Sequence, residues 1–125
     1  MAVEIPTIQF YEGISEVLSN ISLRRNRTTG ERSLLLMFEQ LKSIERFNTF
    51  RNRFAGSLNL EDSEGKIAIE PSDIRFVFGG PEGDDLMRVE CILAVDRDDH
   101  WERLMRFMER YATANGMEYG ERSQT

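Results

Sequence analysis

Histidine and cysteine are the side chains best suited to acid–base or nucleophilic chemistry, and this chain has one of each, His100 and Cys91. A catalytic histidine needs oriented partners, and a reactive thiolate needs an exposed, electropositive surrounding. His100 instead stands among acids at the start of a helical pattern, and Cys91 lies between Val89 and Leu93 in an apolar run. We therefore expect a solvated histidine, a buried thiol and no enzymatic activity. An enzyme that uses both residues is the disfavoured alternative.

Two further segments resemble ion or phosphate sites in composition only. Residues 96–99 (DRDD) are dense in acids, but a calcium loop also needs a glycine turn and a distal bidentate acid at fixed spacing. Residues 79–83 (GGPEG) contain a proline and precede a strand pattern, whereas a phosphate-binding loop needs free N–H groups, a lysine and a helix N-terminus. We interpret the first segment as a helix start and the second as a hairpin loop, and we predict neither a metal nor a cofactor.

The strongest candidates for binding chemistry are four arginines around one turn, Arg24, Arg25, Arg27 and Arg32. Guanidinium groups make planar, forked hydrogen bonds and are common in protein–protein contacts. The alternative is that these side chains pair across strands with Glu31 and other acids and only add solubility. We predict that the four residues contribute to a partner-binding surface.

Length and composition are typical of a globular protein with a single domain over residues 1–125. Of its 125 residues, 40% are hydrophobic and 30% charged, which suffices for a core of its own. The net charge of −6 argues against a nucleic-acid partner and against electrostatic adhesion to an anionic bilayer. One cysteine excludes an intrachain disulfide, and no segment has the pattern of a membrane span or a secretory signal. We expect a soluble protein that meets a membrane only through a protein partner.

The elements that must position these residues include a helix over residues 96–116. Asp99 is predicted to cap its start, Glu102 to complete a capping box, and Asn115-Gly116 to end it. Large side chains recur at helical spacing and predict a stripe that packs on the core: Trp101, Leu104, Met105, Met108, Tyr111 and Ala112.

The opposite face of this helix is charged and carries Arg103, Arg106, Glu109 and Arg110. Side chains four positions apart on a helix, such as Glu102 and Arg106, can pair with each other. We therefore predict that this face is solvated and that its charges need no partner elsewhere in the chain.

Strand patterns precede the helix. A short strand over residues 8–10 is followed by hairpins over residues 21–39, 54–70 and 74–95, the last with Met87 on the same face as Val89. Apolar spacing predicts a short helix or helical turn over residues 41–50, and the polar end predicts a frayed tail over residues 117–125. Because helices do not alternate with strands, we predict an α+β fold, in which an antiparallel β-sheet built of hairpins is covered on one face by the long C-terminal helix.

The segment that forms the predicted helix also carries a family resemblance. Residues 101–112 (WERLMRFMERYA), followed by Asn115-Gly116, are similar to the closing helix of the Psb28 family of photosystem II assembly factors. Residues 8–10 with Gly13 resemble the family's opening strand, residues 58–65 (LNLEDSEG) its acidic turn, and residues 78–81 its glycine-proline loop. The chain departs from the family at Leu104, where a phenylalanine is usual, and in lacking a proline within residues 38–53.

This resemblance implies a function that the residues alone do not define. It implies a non-enzymatic, cofactor-free peripheral protein at the cytoplasmic (stromal) face of the thylakoid membrane. Such a protein would bind photosystem II assembly intermediates near the reaction centre and the larger inner antenna subunit, and leave before the complex is mature. A tail of the antenna subunit would add a strand to its sheet, which needs only an open edge. The alternative is an adaptor of another complex that uses the same kind of edge.

Overall fold

A computed structural model of the protein describes residues 5–44 and 56–117. Within this part the chain forms seven strands and one helix. In chain order they are β1 (Thr7–Gln9), β2 (Asn20–Arg25), β3 (Arg32–Phe38), β4 (Leu58–Asp62), β5 (Gly65–Ile69), β6 (Asp73–Gly79), β7 (Asp85–Val95) and α1 (Asp98–Asn115).

The strands pair antiparallel and form two sheets, with strand orders β1-β4-β5 and β2-β3-β7-β6. The predicted hairpins are present as β2–β3, β4–β5 and β6–β7. The α+β fold with antiparallel hairpins and a closing C-terminal helix is therefore confirmed. Strand periodicity did not indicate the division into two sheets, which arises because β1 pairs with β4 instead of with β2, its neighbour in sequence.

The core lies where the two sheets and the helix meet. Alternate residues of β7 from Val89 to Val95 are buried, as expected for a strand with one covered face. The Phe10 and Phe38 rings pack edge to face with their centroids 5.4 Å apart. From β4, Leu58 and Leu60 are fully buried in the same cluster. Both sheets thus share one hydrophobic core.

Helix α1 lies against β4 of the first sheet and β7 of the second. From the predicted stripe, Leu104, Met108 and Tyr111 are buried, while Trp101 and Met105 are half-buried and pack on the core cluster. Phe107 is fully buried and was missed, although it stands three positions after Leu104 on the same helical face. In the described part of the chain, no helix combines the length and the apolarity needed to cross a membrane.

The two ends of α1 bear out one prediction and contradict another. Gly116 adopts the left-handed conformation, with φ of 65°, and the following N–H of Met117 donates to the Ala112 carbonyl at 2.8 Å. The predicted capping box is wrong, because Arg97 occupies the N-cap position and no side chain caps the helix. Asp99 lies inside the first turn, where its carboxylate is held by the Arg97 guanidinium at 2.9 Å.

Two predicted segments fall largely outside the described residues. For the short helix or helical turn predicted over residues 41–50, only residues 41–44 are described, and they form a turn in which the Ile44 N–H donates to the Leu41 carbonyl at 3.2 Å. Of the tail predicted over residues 117–125, only Met117 is described, and it is half-buried against the core cluster.

The β6–β7 hairpin extends past the rest of its sheet. Pairing of β3 with β7 ends where Phe38 faces Val89, whereas β6 and β7 remain paired until Gly79 faces Asp85. A β-bulge leaves Met87 outside the pairing, and its side chain is 53% exposed while Val89 is fully buried. The prediction that Met87 shares the buried face is therefore wrong, because the bulge shifts the alternation by one residue. We call residues 77–88 the β-finger.

Candidate partner-binding site

The predicted arginine patch lies at the end of the second sheet, where the β2–β3 turn stands beside the last residues of β7. Arg25 pairs with Arg32, which in turn pairs with Val95. An open groove of about 640 Å³ runs here, lined by Arg24, Arg25 and Arg32 among others. Arg27 is exposed in the adjoining turn, outside this lining. We call this feature the arginine groove.

Asn26 fixes the turn that carries the arginines. Its side-chain oxygen accepts a hydrogen bond from the Thr28 N–H at 2.8 Å, which is a local side-chain turn typical of asparagine. Gly30 has a φ of +77°, which glycine adopts without strain, and its N–H closes the turn on the Asn26 carbonyl at 2.7 Å. The backbone at this end of the sheet is thus held in place by the turn itself.

Arg32 has a different environment from the other three arginines. Its side chain is only 16% exposed, donates to the Asp98 carboxylate at 2.6 Å and lies over the Trp101 ring at 5.2 Å from the centroid. An ion pair and a cation–π contact therefore tie β3 to the first turn of α1. Arg32 forms a wall of the groove, but its charge is already partly compensated within the chain.

Arg24 and Arg25 are the members of the patch whose charge is available. Both are exposed, and neither forms an ion pair with any residue that the structure describes. As neighbours on a strand they point to opposite faces of β2, so that they flank it on both sides. In the described part of the chain, β2 is an edge strand of its sheet. An extended polypeptide could pair with this edge while its carboxylates or carbonyls accept hydrogen bonds from the two guanidinium groups.

A second charged cluster joins the β4–β5 turn to α1, and sequence reasoning missed it. Arg103 donates to both carboxylate oxygens of Asp62, at 2.9 Å and 2.6 Å, and Arg110 donates to the same carboxylate at 3.0 Å. Arg106 donates to both oxygens of Glu64, at 2.8 Å and 3.1 Å, and Arg110 also pairs with Glu64. We call these five residues the helix clamp. The prediction that this helix face is solvated and self-contained is wrong, because its arginines bind acids of the opposing turn.

The geometry of the helix clamp decides how its acids titrate. Burial alone would raise the pKa of Asp62, whose side chain is inaccessible to solvent, but hydrogen bonds from Arg103 and Arg110 outweigh it and lower the pKa to about 2. Hydrogen bonds from Arg106 and Arg110 likewise lower the pKa of Glu64 to about 2. Both carboxylates are therefore ionised at any physiological pH. The clamp holds α1 on the first sheet, and the first turn of the same helix binds Arg32 of the arginine groove through Asp98.

The two residues first considered for chemistry lie in unrelated environments. Cys91 is fully buried in β7, and burial, followed by the negative charge of Asp73, raises the pKa of its thiol to about 12. His100 is exposed in the first turn of α1. A neutral, inaccessible thiol is not a nucleophile at neutral pH. Among the described residues, no three His, Cys, Asp or Glu side chains are grouped so that they could hold a metal ion.

Similarity to known proteins covers nearly the whole chain. The family model described as Psb28 protein matches residues 8–119. The photosystem II reaction center Psb28 protein of Gloeothece citriformis is 35% identical over 113 residues, which are 90% of this chain and 95% of the relative. The proteins of the same name from Guillardia theta and Pyropia yezoensis are each 31% identical, over 90% and 94% of this chain and 92% and 97% of their own lengths. The arginine groove and the helix clamp both lie within the matched residues.

Proposed function

The chain belongs to the Psb28 family, and from this membership we propose that it associates with photosystem II as a non-catalytic assembly factor. The relatives that it matches along almost their full length carry photosystem II reaction center in their names. The proposal further assigns docking to the cytoplasmic (stromal) face of the thylakoid membrane, near the reaction centre and the larger inner antenna subunit. The chain would bind assembly intermediates there as a peripheral protein.

The observation that carries the mode of binding is the exposed pair Arg24 and Arg25 on the edge strand β2. Main-chain hydrogen bonds to an edge strand provide affinity without any catalytic group, and flanking arginines select acidic or carbonyl-rich segments and set their register. The turn held by Asn26 supports this role, since a preordered edge loses little entropy on binding. We therefore propose that the arginine groove receives an extended segment of a photosystem II core subunit.

The second candidate function is an adaptor of another complex that uses the same edge of β2. The same edge and the same arginines would serve it, so that only the partner distinguishes the two functions. An enzyme built on Cys91 and His100 has no support in the geometry, because the thiol is buried and the histidine is exposed elsewhere.

Affinity purification from a photosynthetic membrane distinguishes these functions. We expect the tagged chain to retain reaction-centre and inner-antenna subunits. The triple change Arg24→Glu, Arg25→Glu and Arg27→Glu should weaken retention by at least tenfold, since close charge pairs in interfaces often couple by about 1.5 kcal/mol or more. Its thermal melting should be unchanged, because the three side chains are exposed.

A matched control carries the same charge change at exposed sites outside the arginine groove, with Lys42→Glu, Lys66→Glu and Arg75→Glu. We expect the control to retain the subunits as the unaltered chain does. Equal losses in both triple variants would mean that net charge, and not the groove, governs docking. Recovery of a different complex, without photosystem II subunits, would favour the adaptor.

A further inference from the structure

The β-finger is a two-stranded extension without support from the neighbouring strand. Of the strands that the structure describes, only β6 and β7 contribute to it, because the pairing of β3 with β7 has ended at Val89. At the usual rise per residue, residues 85–88 of β7 carry it roughly 13 Å past that point. Two-stranded ribbons are marginally stable by themselves in water. Contact of its side chains with a partner would therefore stabilise the ribbon.

Apolar side chains lie on both faces of the β-finger. Phe78 is 48% exposed and Met87 53% exposed. A Cβ atom placed on Gly79 would lie 3.0 Å from the Met87 Cγ. Met87 therefore lies on the face of the ribbon to which residue 79 points. Phe78, as the preceding residue of the strand, points to the other face. A ribbon that is apolar on both faces is suited to insertion between two surfaces of a partner.

The turn of the β-finger determines which partner fits. Glu82, Asp84 and Asp85 are all exposed, and none of them forms an ion pair with a residue that the structure describes. The nearest arginine of the ribbon, Arg88, is engaged by Glu90 at 2.9 Å. The uncovered apolar residues therefore stand beside uncompensated negative charge, and a partner must bring apolar groups next to positive charge.

We propose that the β-finger is a second docking surface, which inserts next to a Lys- and Arg-rich juxtamembrane segment of a membrane protein. Cytoplasmic ends of membrane-spanning helices combine an excess of Lys and Arg with apolar and aromatic residues. The inference rests on the proposed function only in placing the chain at the cytoplasmic side of a membrane complex. A second copy of the chain is disfavoured as the occupant, because both copies would carry a net charge of −6.

Site-specific photo-crosslinking in photosynthetic membranes tests the proposal. A photoreactive amino acid replaces Phe78 or Met87 in the full chain, and Asn26 beside the arginine groove in a parallel sample. We expect crosslinks from positions 78 and 87 to membrane-protein segments that are rich in Lys and Arg and adjoin a membrane span. Crosslinks to acidic segments, to lipid or to a second copy of the chain would overturn the proposal.

The parallel sample separates this inference from the proposed function. Crosslinks to photosystem II from position 26, with none from positions 78 and 87, would overturn the β-finger as a docking surface and leave the proposed function standing. Absence of photosystem II crosslinks from position 26, together with absence of crosslinks to any membrane protein from positions 78 and 87, would overturn both.

Variants provide an independent measurement of the same surface. The double change Phe78→Ser and Met87→Ser should weaken retention of the membrane complex roughly tenfold, as removal of interface anchors commonly does. Its control is Ile5→Ser with Val17→Ser, which removes two other exposed apolar side chains and should leave retention unchanged. Neutralisation of the turn by Glu82→Gln, Asp84→Asn and Asp85→Asn should reduce the dependence of retention on salt concentration. The proposal would be overturned if the double variant retained the membrane complex as the unaltered chain does and the variant of the turn showed the same dependence on salt concentration.

Discussion

Asp62 is the residue on which the attachment of α1 to the first sheet depends most. Its buried carboxylate accepts hydrogen bonds from Arg103, from Arg110 and from the Glu64 N–H. Among the described residues, no buried side-chain nitrogen or oxygen atom lacks a hydrogen-bond partner. A buried charge that is fully hydrogen-bonded is tolerated, whereas removal of one partner leaves the others unpaired. The clamp therefore makes the β4–β5 turn sensitive to single changes.

Replacement of Asp62 by Asn tests the clamp. Asp62→Asn should lower the free energy of unfolding by about 3 kcal/mol, because it leaves Arg103 and Arg110 without their shared carboxylate. The control is Asp73→Asn, which removes an ion pair to Arg75 between side chains that are 49% and 65% exposed, and should cost less than about 1 kcal/mol. Chemical denaturation measures both, and equal effects would contradict the role given to Asp62.

At the scale of elements, α1 connects parts of the chain that are distant in sequence. Besides the clamp, the Tyr111 hydroxyl accepts a hydrogen bond from the Leu18 N–H at 3.1 Å, and Asp98 in the first turn binds Arg32 of β3. The helix thus holds β3, β4 and the segment before β2 in one arrangement. Since the arginine groove lies where β3 passes the start of α1, loss of helix packing should disturb the groove as well.

Two aromatic residues of α1 should differ in their contribution to stability. Phe107 is fully buried, so Phe107→Ala should cost about 3–5 kcal/mol of unfolding free energy. Trp101 is only half-buried beneath the Arg32 guanidinium, so Trp101→Ala should cost roughly half as much, including the lost cation–π contact. Thermal and denaturant unfolding of the two variants check this order. A larger loss for Trp101→Ala would mean that its ring, and not that of Phe107, is the centre of the helix packing.

At the scale of the whole molecule, the arginines of the predicted patch and the acidic turn of the β-finger lie at opposite ends of the second sheet. The β2–β3 turn, with its arginines, stands beside the C-terminal end of β7, whereas the acidic turn of the β-finger precedes the N-terminal end of the same strand. The length of β7, 11 residues, separates the two ends by roughly 35 Å. A partner complex with acidic and basic segments at that separation would orient the chain in one direction only.

The pH dependence of unfolding is a property of the whole molecule that follows from the clamp. The pKa values of Asp62 and Glu64 fall from their ordinary 3.8 and 4.5 to about 2 on folding. Groups with a lowered pKa stabilise the native state above the unfolded pKa, and that contribution is lost as the pH falls through the folded pKa. We expect the melting temperature to decrease as the pH is lowered from about 5 to about 2.

A clamp-free variant isolates this contribution from that of the other acids. The double change Asp62→Asn and Glu64→Gln should melt at a lower temperature than the unaltered chain at neutral pH. The difference between the two should shrink towards pH 2, where the native carboxylates also become protonated. A difference that stays constant from pH 7 to pH 2 would exclude an electrostatic origin.

The sequence by itself determined the local features of the protein. Alternation identified the hairpins, helical spacing identified the stripe of α1, and Asn115-Gly116 identified its end, because each of these patterns is read from neighbouring residues. The burial of Cys91 was likewise predicted from its immediate neighbours. The arginines of the candidate site were found from their clustering around one turn.

Only the tertiary structure decided which of these local features meet. The division into two sheets, the pairing of Asp62 with Arg103 and the engagement of Arg32 by Asp98 each join residues far apart in the chain. The periodicity of apolar residues indicates which face of a helix or strand is covered, but not which element covers it. An ion pair between distant residues does not affect the sequence pattern around either residue, so it cannot be predicted from that pattern. The bulge at Met87 could not be predicted for the same reason. The extra residue in β7 is recognised only when β7 is aligned with its partner strand β6.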